Sequence, residues 1–277
     1  MNKTYHGALL GASSLLQKAD IDVDAARYVL EYLGDFTPTQ LQIHGRDVMP
    51  DAIAQAFEAA IPRLLQHEPA QYIIGLAPFY GHDFQVNPAV LIPRFETEEL
   101  VAWVADDLDG AQTLLDVGTG SGVIGITLKL QCPQLDVTMV DVSPAALAVA
   151  TQNAQRLQAE VTLKESDLFS AVAGQRFDRI VSNLPYISHD EVAVMDASTK
   201  AYEPHLALFA EHDGLALFER FCAGLLAHVH AGTQVYLEFG YHQQPALTKL
   251  FADVLPQAQV EFRQDLAGHP RMVKLTF

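Results

Sequence analysis

Leu114-Leu115-Asp116-Val117-Gly118-Thr119-Gly120-Ser121-Gly122 reads as a strand running into a glycine-rich turn, and the apolar residues Val123 to Leu130 that follow read as a helix. Glycines there let the backbone turn sharply and let a ligand approach the helix N-terminus closely. Downstream the pattern repeats. Strands are expected near 137–141, 161–164, 178–182 and 233–239, with helices near 144–157, 214–230 and 243–253. Ser143-Pro144 marks one helix start, with Ser as N-cap and Pro in the first turn. Alternation of this kind implies a mainly parallel sheet. Two final strands, near 259–264 and 271–276, are joined by Asp265-Leu266-Ala267-Gly268-His269-Pro270, too short for a crossover helix, so they should pair antiparallel. The expected class is α/β and Rossmann-like, with seven strands.

Upstream, residues 1–75 carry helical spacing and read as a small helical bundle. Gly34 closes one helix and Thr37-Pro38 opens the next turn. A further helix runs from about Pro50 to Gln66, with Pro62 expected to kink or break it near Ala60. Tyr72-Ile73-Ile74-Gly75 and Phe79 to Val86 read as short strands, so 76–95 is taken as a β-hairpin linker and 96–277 as the second domain. A helix should begin near Thr97, and Arg94 and Glu96 can line a site, though a linker salt bridge is the preferred reading.

The 277 residues provide ample core, and 34 acidic against 17 basic residues give a formal charge of −17. No basic run offers a grip on nucleic-acid phosphates, which favours a protein or small-molecule substrate and no nucleic-acid partner. Cys132 and Cys222 form no CxxC and suit a reducing cytoplasm. His228-Val229-His230 has no nearby carboxylate partner, and no metal site is expected. Gly7 to Leu16 is too interrupted by Gly and Ser to span a membrane and lacks the features of a signal peptide. A cytoplasmic monomer is expected.

The glycine turn admits two cofactors. Gly120-Ser121-Gly122-Val123-Ile124-Gly125 satisfies the dinucleotide pattern GxGxxG, and Asp141, ending the next strand, can accept both hydroxyls of an adenosine ribose. Two features count against a dinucleotide. The glycines begin at Gly118, and Asp116 would set a negative charge where pyrophosphate lies. That carboxylate suits the methionine ammonium, or an ordered water, of S-adenosyl-L-methionine instead. Thr119 and Ser121 complete the turn. Beyond the third strand, Asp167 can accept from an adenine amino group, and Leu168 or Phe169 can pack on the ring; equally, Asp167 can cap a turn while the other two are core.

Ser182-Asn183-Leu184-Pro185-Tyr186-Ile187 opens a loop after the strand Phe177 to Val181. Alone, it is a proline-containing turn. With a methyl donor beside it, it becomes a grip for a planar –NH2 group. The Asn183 side-chain oxygen and the Leu184 carbonyl can accept from the two N–H bonds, and the Tyr186 ring can cover the plane.

With these residues in hand, the chain resembles the HemK family of protein-(glutamine-N5) methyltransferases, which act on class-1 peptide chain release factors. The resemblance rests on Leu91-Ile92-Pro93-Arg94, the Asp116–Gly122 turn, Asp141 to Leu147, and Ser182 to Ile187. It extends through Tyr202-Glu203-Pro204-His205-Leu206-Ala207-Leu208, Asp213-Gly214-Leu215, and Asp265 to Arg271. It implies a helical N-terminal domain, a hairpin, and a seven-stranded S-adenosylmethionine-dependent methyltransferase domain; from the arrangement alone, the helical domain is expected to recognise substrate. The substrate it implies is the Gln of the release factors' Gly-Gly-Gln loop. The chain departs from the family's usual pattern at Leu184, where Pro is usual, and at Phe95-Glu96, where Pro-Asp is usual. A main-chain acceptor at 184 survives the first change, and Pro185 still biases that residue toward extended backbone. Adenine-N6 DNA methyltransferases share the Asn-Pro-Pro-Tyr type of motif, ribosomal-protein glutamine methyltransferases are near relatives, and a non-catalytic cofactor-binding module is a third alternative.

Overall fold

Thr4 caps the first helix by accepting from Gly7 N at 3.1 Å, and α1 (Tyr5–Lys18), α2 (Asp24–Gly34), α3 (Pro38–Ile43), α4 (Asp51–Leu64) and α5 (Ala70–Ile74) follow in order. Residues 3–277 are described by this computed structural model. Thr37 and Gln40 form a reciprocal capping box at the start of α3. Leu16, Leu30, Phe57 and Leu64 are fully buried and form the core of these helices. The first compact unit comprises Met1–Leu76 with Met195–Tyr202; Ala77–Val194 with Glu203–Phe277 form the second.

Two expectations change in the helical unit. Helix α4 continues through Pro62 without a break at Ala60. Pro62 stands in the last turn, so the amide it lacks would have reached only Glu58, an exposed position where water can satisfy the carbonyl. Tyr72-Ile73-Ile74 is helical, not extended. Pro69 starts that turn, Gly75 ends it at φ 80°, and Ile73 and Ile74 pack against the helical core. Burial there outweighs the β-branched preference for strand.

In the second unit, β1 (Leu76–Phe79) and β2 (His82–Gln85) form a hairpin. Its Tyr80-Gly81 turn has both φ angles positive, the conformation that a two-residue hairpin favours. Then come α6 (Phe95–Asp106), β3 (Thr113–Val117), α7 (Val123–Gln131), β4 (Asp136–Asp141), α8 (Pro144–Arg156), β5 (Thr162–Glu165) and β6 (Arg179–Asn183). Helix α9 (Ala197–Tyr202) belongs to the first unit, and α10 (His205–Leu208), α11 (Ala216–Leu225), β7 (Gln234–Glu238), α12 (Gln244–Val254), β8 (Gln259–Gln264) and β9 (Pro270–Thr276) complete the second. Helix α11 ends short of the expected 230, and α9 and α10 were not legible as helices.

The seven-stranded sheet has the order β5-β4-β3-β6-β7-β9-β8, as the Rossmann-like reading requires. Strands β3 to β7 pair in parallel, and β9 runs antiparallel to β7 and β8, as the short 265–270 link demanded. Neighbouring residues of one strand feed opposite faces. Leu114 joins a core with Trp103, Ile126 and Met139, while Leu115 joins one with Phe218, Phe221 and Phe251. From β3 the chain leaves toward β4, whereas β6 lies on the other side of β3, with Val117 opposite Ser182. The carboxyl ends of β3 and β6 therefore flank the point where strand order reverses, where α/β sheets form their ligand crevice. Among the described residues no helix is long and apolar enough to cross a membrane, and no group of three His, Cys, Asp or Glu could hold a metal ion.

Candidate active site

The turn after β3 is pinned from behind. Asp116 Oδ2 accepts from the Thr119 hydroxyl at 2.6 Å and from Gly125 N at 3.0 Å, tying the strand to the first turn of α7. Its other oxygen, Oδ1, is buried without a hydrogen-bond partner. Loss of solvent pushes the Asp116 carboxyl up to about 7, against the pull of its two donors, with Asp141 adding repulsion. Gly122 sits at φ 87°, where a side chain strains the backbone, and a Cβ would stand 2.7 Å from Ile126 Cδ1. At Gly120, φ 57°, a Cβ would meet nothing within 4 Å, so the backbone is open to close approach there.

Asp141 faces this turn from the end of β4. Its Oδ2 accepts from Gly120 N at 2.8 Å and its Oδ1 from Ser143 N at 2.9 Å. Burial raises its pKa, and these backbone donors oppose the rise. Beyond β5, Ser166 Oγ donates to the Leu168 carbonyl at 2.8 Å and holds Leu168 at φ 50°, a left-handed conformation uncommon for a leucine. Leu168 lines the cavity, whereas Phe169 is buried against Phe221 and His228. That separates the two apolar candidates. Asp167 also lines the cavity, with Oδ2 engaged by Arg220 Nη2 at 2.7 Å.

From β6, Asn183, Leu184 and Pro185 reach the same cavity, whose volume is about 320 Å³. Asn183 Nδ2 donates to Thr97 Oγ1 at 3.1 Å. Gly118, Thr119, Gly120, Ser121 and Asp141 form the facing wall. The proposition that the glycine turn and the Asn183 loop share one pocket is thus met in the geometry.

Besides Phe169, three residues named from the sequence do not line that cavity: Asp116, Gly122 and Tyr186. Asp116 is fully buried and holds the turn; Gly122 meets the packing of α7 on the sheet. Tyr186 is half-buried, and its hydroxyl donates to Glu238 Oε1 at 3.3 Å. Gly214 and Gly240 pack against it; a Cβ at Gly240 would lie 3.3 Å from Tyr186 Cδ2.

Sequence reasoning missed Thr97 and Glu238, and it undervalued Arg94. Arg94 lines the cavity and pairs with the buried Glu203 at 2.6 Å. Thr97 was read only as a helix start. Glu238 carried a usable signal, a single carboxylate at the end of an apolar strand, where an acid is costly unless hydrogen-bonded.

A family model described as PrmC N-terminal domain matches residues 7–75, and one described as Methyltransferase small domain matches residues 96–203. A release factor glutamine methyltransferase of Enterococcus faecalis is 39% identical over 273 residues, covering 98% of this chain and 99% of its own. The chain belongs to the release factor glutamine methyltransferase family. Other members bearing that name include those of Bacillus subtilis, 36% identical with 98% and 97% covered, and Bordetella pertussis, 39% identical with 89% and 92% covered.

Solved structures carry the fold well beyond this family. The human Mettl16 catalytic domain, in complex with a MAT2A 3′UTR hairpin, matches at a TM-score of 0.59 and 15% identity, covering 90% of this chain and 91% of its own. A T. thermophilus 16S rRNA N2 methyltransferase (RsmC), in complex with AdoMet and guanosine, matches at 0.53 and 15% identity, covering 73% and 49%. At such identities the likeness establishes the methyltransferase fold alone.

Proposed function

We propose that this family member transfers a methyl group from S-adenosyl-L-methionine to the side-chain amide nitrogen of the Gln in the Gly-Gly-Gln loop of class-1 peptide chain release factors. The observation that carries the reading is the single cavity lined both by the glycine turn and by Asn183, Leu184 and Pro185. Named relatives of nearly equal length support the substrate class.

The residues present fit this cofactor. Asp116 lies behind the turn and off the cavity wall, so its unpartnered oxygen favours a cation in the cavity by charge across the turn and not by contact. Gly120 leaves its backbone open, and Asp141 offers a ribose two oxygens, each with lone pairs beyond those already used. Leu168 gives an adenine ring an apolar surface, and the free oxygen of Asp167 gives its amino group an acceptor. When bound, the cofactor supplies a methyl group on a positively charged sulfur, already a strong electrophile.

The protein's task is then orientation. An amide nitrogen is a poor nucleophile because its lone pair is delocalised into the carbonyl. Asn183 Oδ1 and the Leu184 carbonyl accept from the two N–H bonds of the substrate amide, aiming the nitrogen and stabilising positive charge as it develops. Tyr186 closes the loop behind them, where burial keeps its phenol protonated and a donor to Glu238. No general base is required, since the proton can leave to water after transfer. In this reading the helical unit recognises the release factor, and the enzyme acts as a cytoplasmic monomer. The −17 charge supports a protein over a nucleic-acid substrate.

Incubation with a purified class-1 release factor and cofactor, followed by peptide mass spectrometry, should find one added methyl on the Gly-Gly-Gln glutamine. Methyl transfer to nucleic acid instead, with the release factor unchanged, overturns the reading.

A further inference from the structure

Asn183 presents a carboxamide whose two ends look alike in shape but are opposite in hydrogen bonding. The grip works with oxygen toward the substrate and fails with –NH2 toward it. Something must hold the difference. Strand register puts Asn183 of β6 directly opposite Glu238 of β7, and Thr97 of α6 stands between their side chains. Asn183 and Glu238 end their strands at the carboxyl edge of the sheet, and Thr97 is 3% and Glu238 1% exposed.

With Glu238 ionised, the hydrogen bonds among them have a fixed direction. Thr97 Oγ1 donates its only proton to Glu238 Oε2 at 2.7 Å. Having no second proton, it can only accept from Asn183, and Nδ2 donates to it at 3.1 Å. The amide nitrogen is thereby turned inward and Oδ1 is left as the end available to the cavity. Glu238 Oε1 meanwhile accepts from the Tyr186 hydroxyl at 3.3 Å. One buried carboxylate thus anchors both side chains that flank Leu184 and Pro185.

We infer that Glu238 and Thr97 are positioning residues for the transfer step: the carboxylate sets the direction of the Thr97 hydroxyl, which selects the productive face of the Asn183 amide. The inference rests on the proposed role of Asn183 and adds to it. Thr97 borders the cavity beside Asn183 and Glu238 lies behind it, and in this scheme both act by orienting other side chains. Their effect passes wholly through Asn183 and Tyr186, which a general structural role would not require. A neutral isostere at 238 cannot replace the acid fully, because a carboxamide offers one acceptor oxygen to two donors.

The test combines Thr97→Val, Thr97→Ser and Asn183→Ala in the full-length enzyme, with single-turnover methylation of a class-1 release factor and calorimetric cofactor affinity as readouts. Thr97→Val keeps the shape and removes the hydroxyl. It should slow transfer by roughly 10- to 100-fold while changing cofactor affinity by no more than about two-fold. Thr97→Ser, which restores the hydroxyl, should recover most of the rate. In an Asn183→Ala background, Thr97→Val should slow the reaction no further, because the amide it orients is gone. Wild-type turnover in Thr97→Val, or a Thr97→Val defect that multiplies with that of Asn183→Ala, overturns the inference while leaving Asn183 in place. Near-normal transfer by Asn183→Ala itself is a different outcome, and it removes the reading on which the inference rests.

Discussion

Gly118 and Leu184 meet across the seam between β3 and β6: a Cβ at 118 would stand 3.5 Å from Leu184 Cδ2. The two strands pair in parallel, and the connections leaving them diverge. Their carboxyl ends must therefore open a crevice, and one turn's breadth separates the glycine backbone from the Asn183 loop. A reaction that brings two groups into line benefits from this placement. Donor and acceptor sites sit on adjacent strands of one hydrogen-bonded sheet, so their spacing is set by the sheet and not by a mobile linker.

Removing the acceptor end should separate chemistry from binding. Asn183→Ala is expected to lower the transfer rate by roughly 100- to 1,000-fold, the range for loss of one oriented electrostatic partner. Cofactor affinity should stay within about two-fold, since the glycine turn is untouched. Single-turnover kinetics with a release factor, alongside calorimetry, decides the point. A parallel loss in affinity would make Asn183 part of the cofactor site instead.

Asp141→Ala should show the reverse pattern. The carboxylate offers the ribose two acceptors and also tethers Gly120 N and Ser143 N. Its loss should weaken cofactor binding by roughly 10-fold or more, as expected when a charged hydrogen-bond acceptor is deleted. Once cofactor is saturating, much of the rate should return. Unchanged calorimetric affinity would remove Asp141 from the binding site.

Gly214 supports the loop from outside the cavity. A Cβ there would come within 2.0 Å of the Tyr186 carbonyl oxygen, and the residue sits at φ 81°. Gly214→Ala must push the Tyr186 backbone aside, so transfer should slow by roughly 10-fold or more even though residue 214 lies outside the cavity lining. Thermal melts and cofactor titration distinguish that from unfolding. Full activity in a folded variant would show that the Tyr186 loop tolerates displacement.

Where one local pattern contained the whole signal, the sequence was sufficient. Asp116 to Gly122 announced its turn, the strand–helix alternation announced a parallel sheet, and the six-residue 265–270 link announced the antiparallel end. Asn183 to Pro185 was visible as the start of a loop at a strand's carboxyl end for the same reason. What stayed hidden depends on distance. Thr97 and Glu238 are 141 residues apart and are brought together by sheet register, which no local window reports. Leu168 and Phe169 are adjacent and both apolar, and only the left-handed turn at 168 sends one to the cavity and the other to the core. At Tyr72-Ile73-Ile74 local preference pointed to a strand, and packing against the helical core decided otherwise.

Asp116 gives the cofactor-free protein a pH dependence with a definite sign. Burial raises its carboxyl from an ordinary 3.8 to about 7, so the folded state holds a proton that the unfolded chain releases. The stabilisation linked to that proton is complete below about pH 3.8 and is lost as pH rises toward 7. Glu238, raised by burial from 4.5 to about 7, contributes in the same direction. Asp116→Asn cannot titrate. Its amide oxygen can still accept from Thr119 and Gly125, leaving an –NH2 at the position without a partner, which costs less than an ionised oxygen there. The variant should therefore be more stable than wild type at pH 8, by on the order of 1–3 kcal/mol, and closer to it at pH 5. Urea denaturation at the two pH values measures this directly, and the comparison between proteins cancels the general repulsion of a −17 chain. Cofactor affinity should move the other way, falling in the Asn variant because a neutral amide no longer attracts a cation. Equal stability at pH 8 would mean that the carboxylate already has a partner in the cofactor-free protein, and would remove the reason for assigning its free oxygen to the ligand.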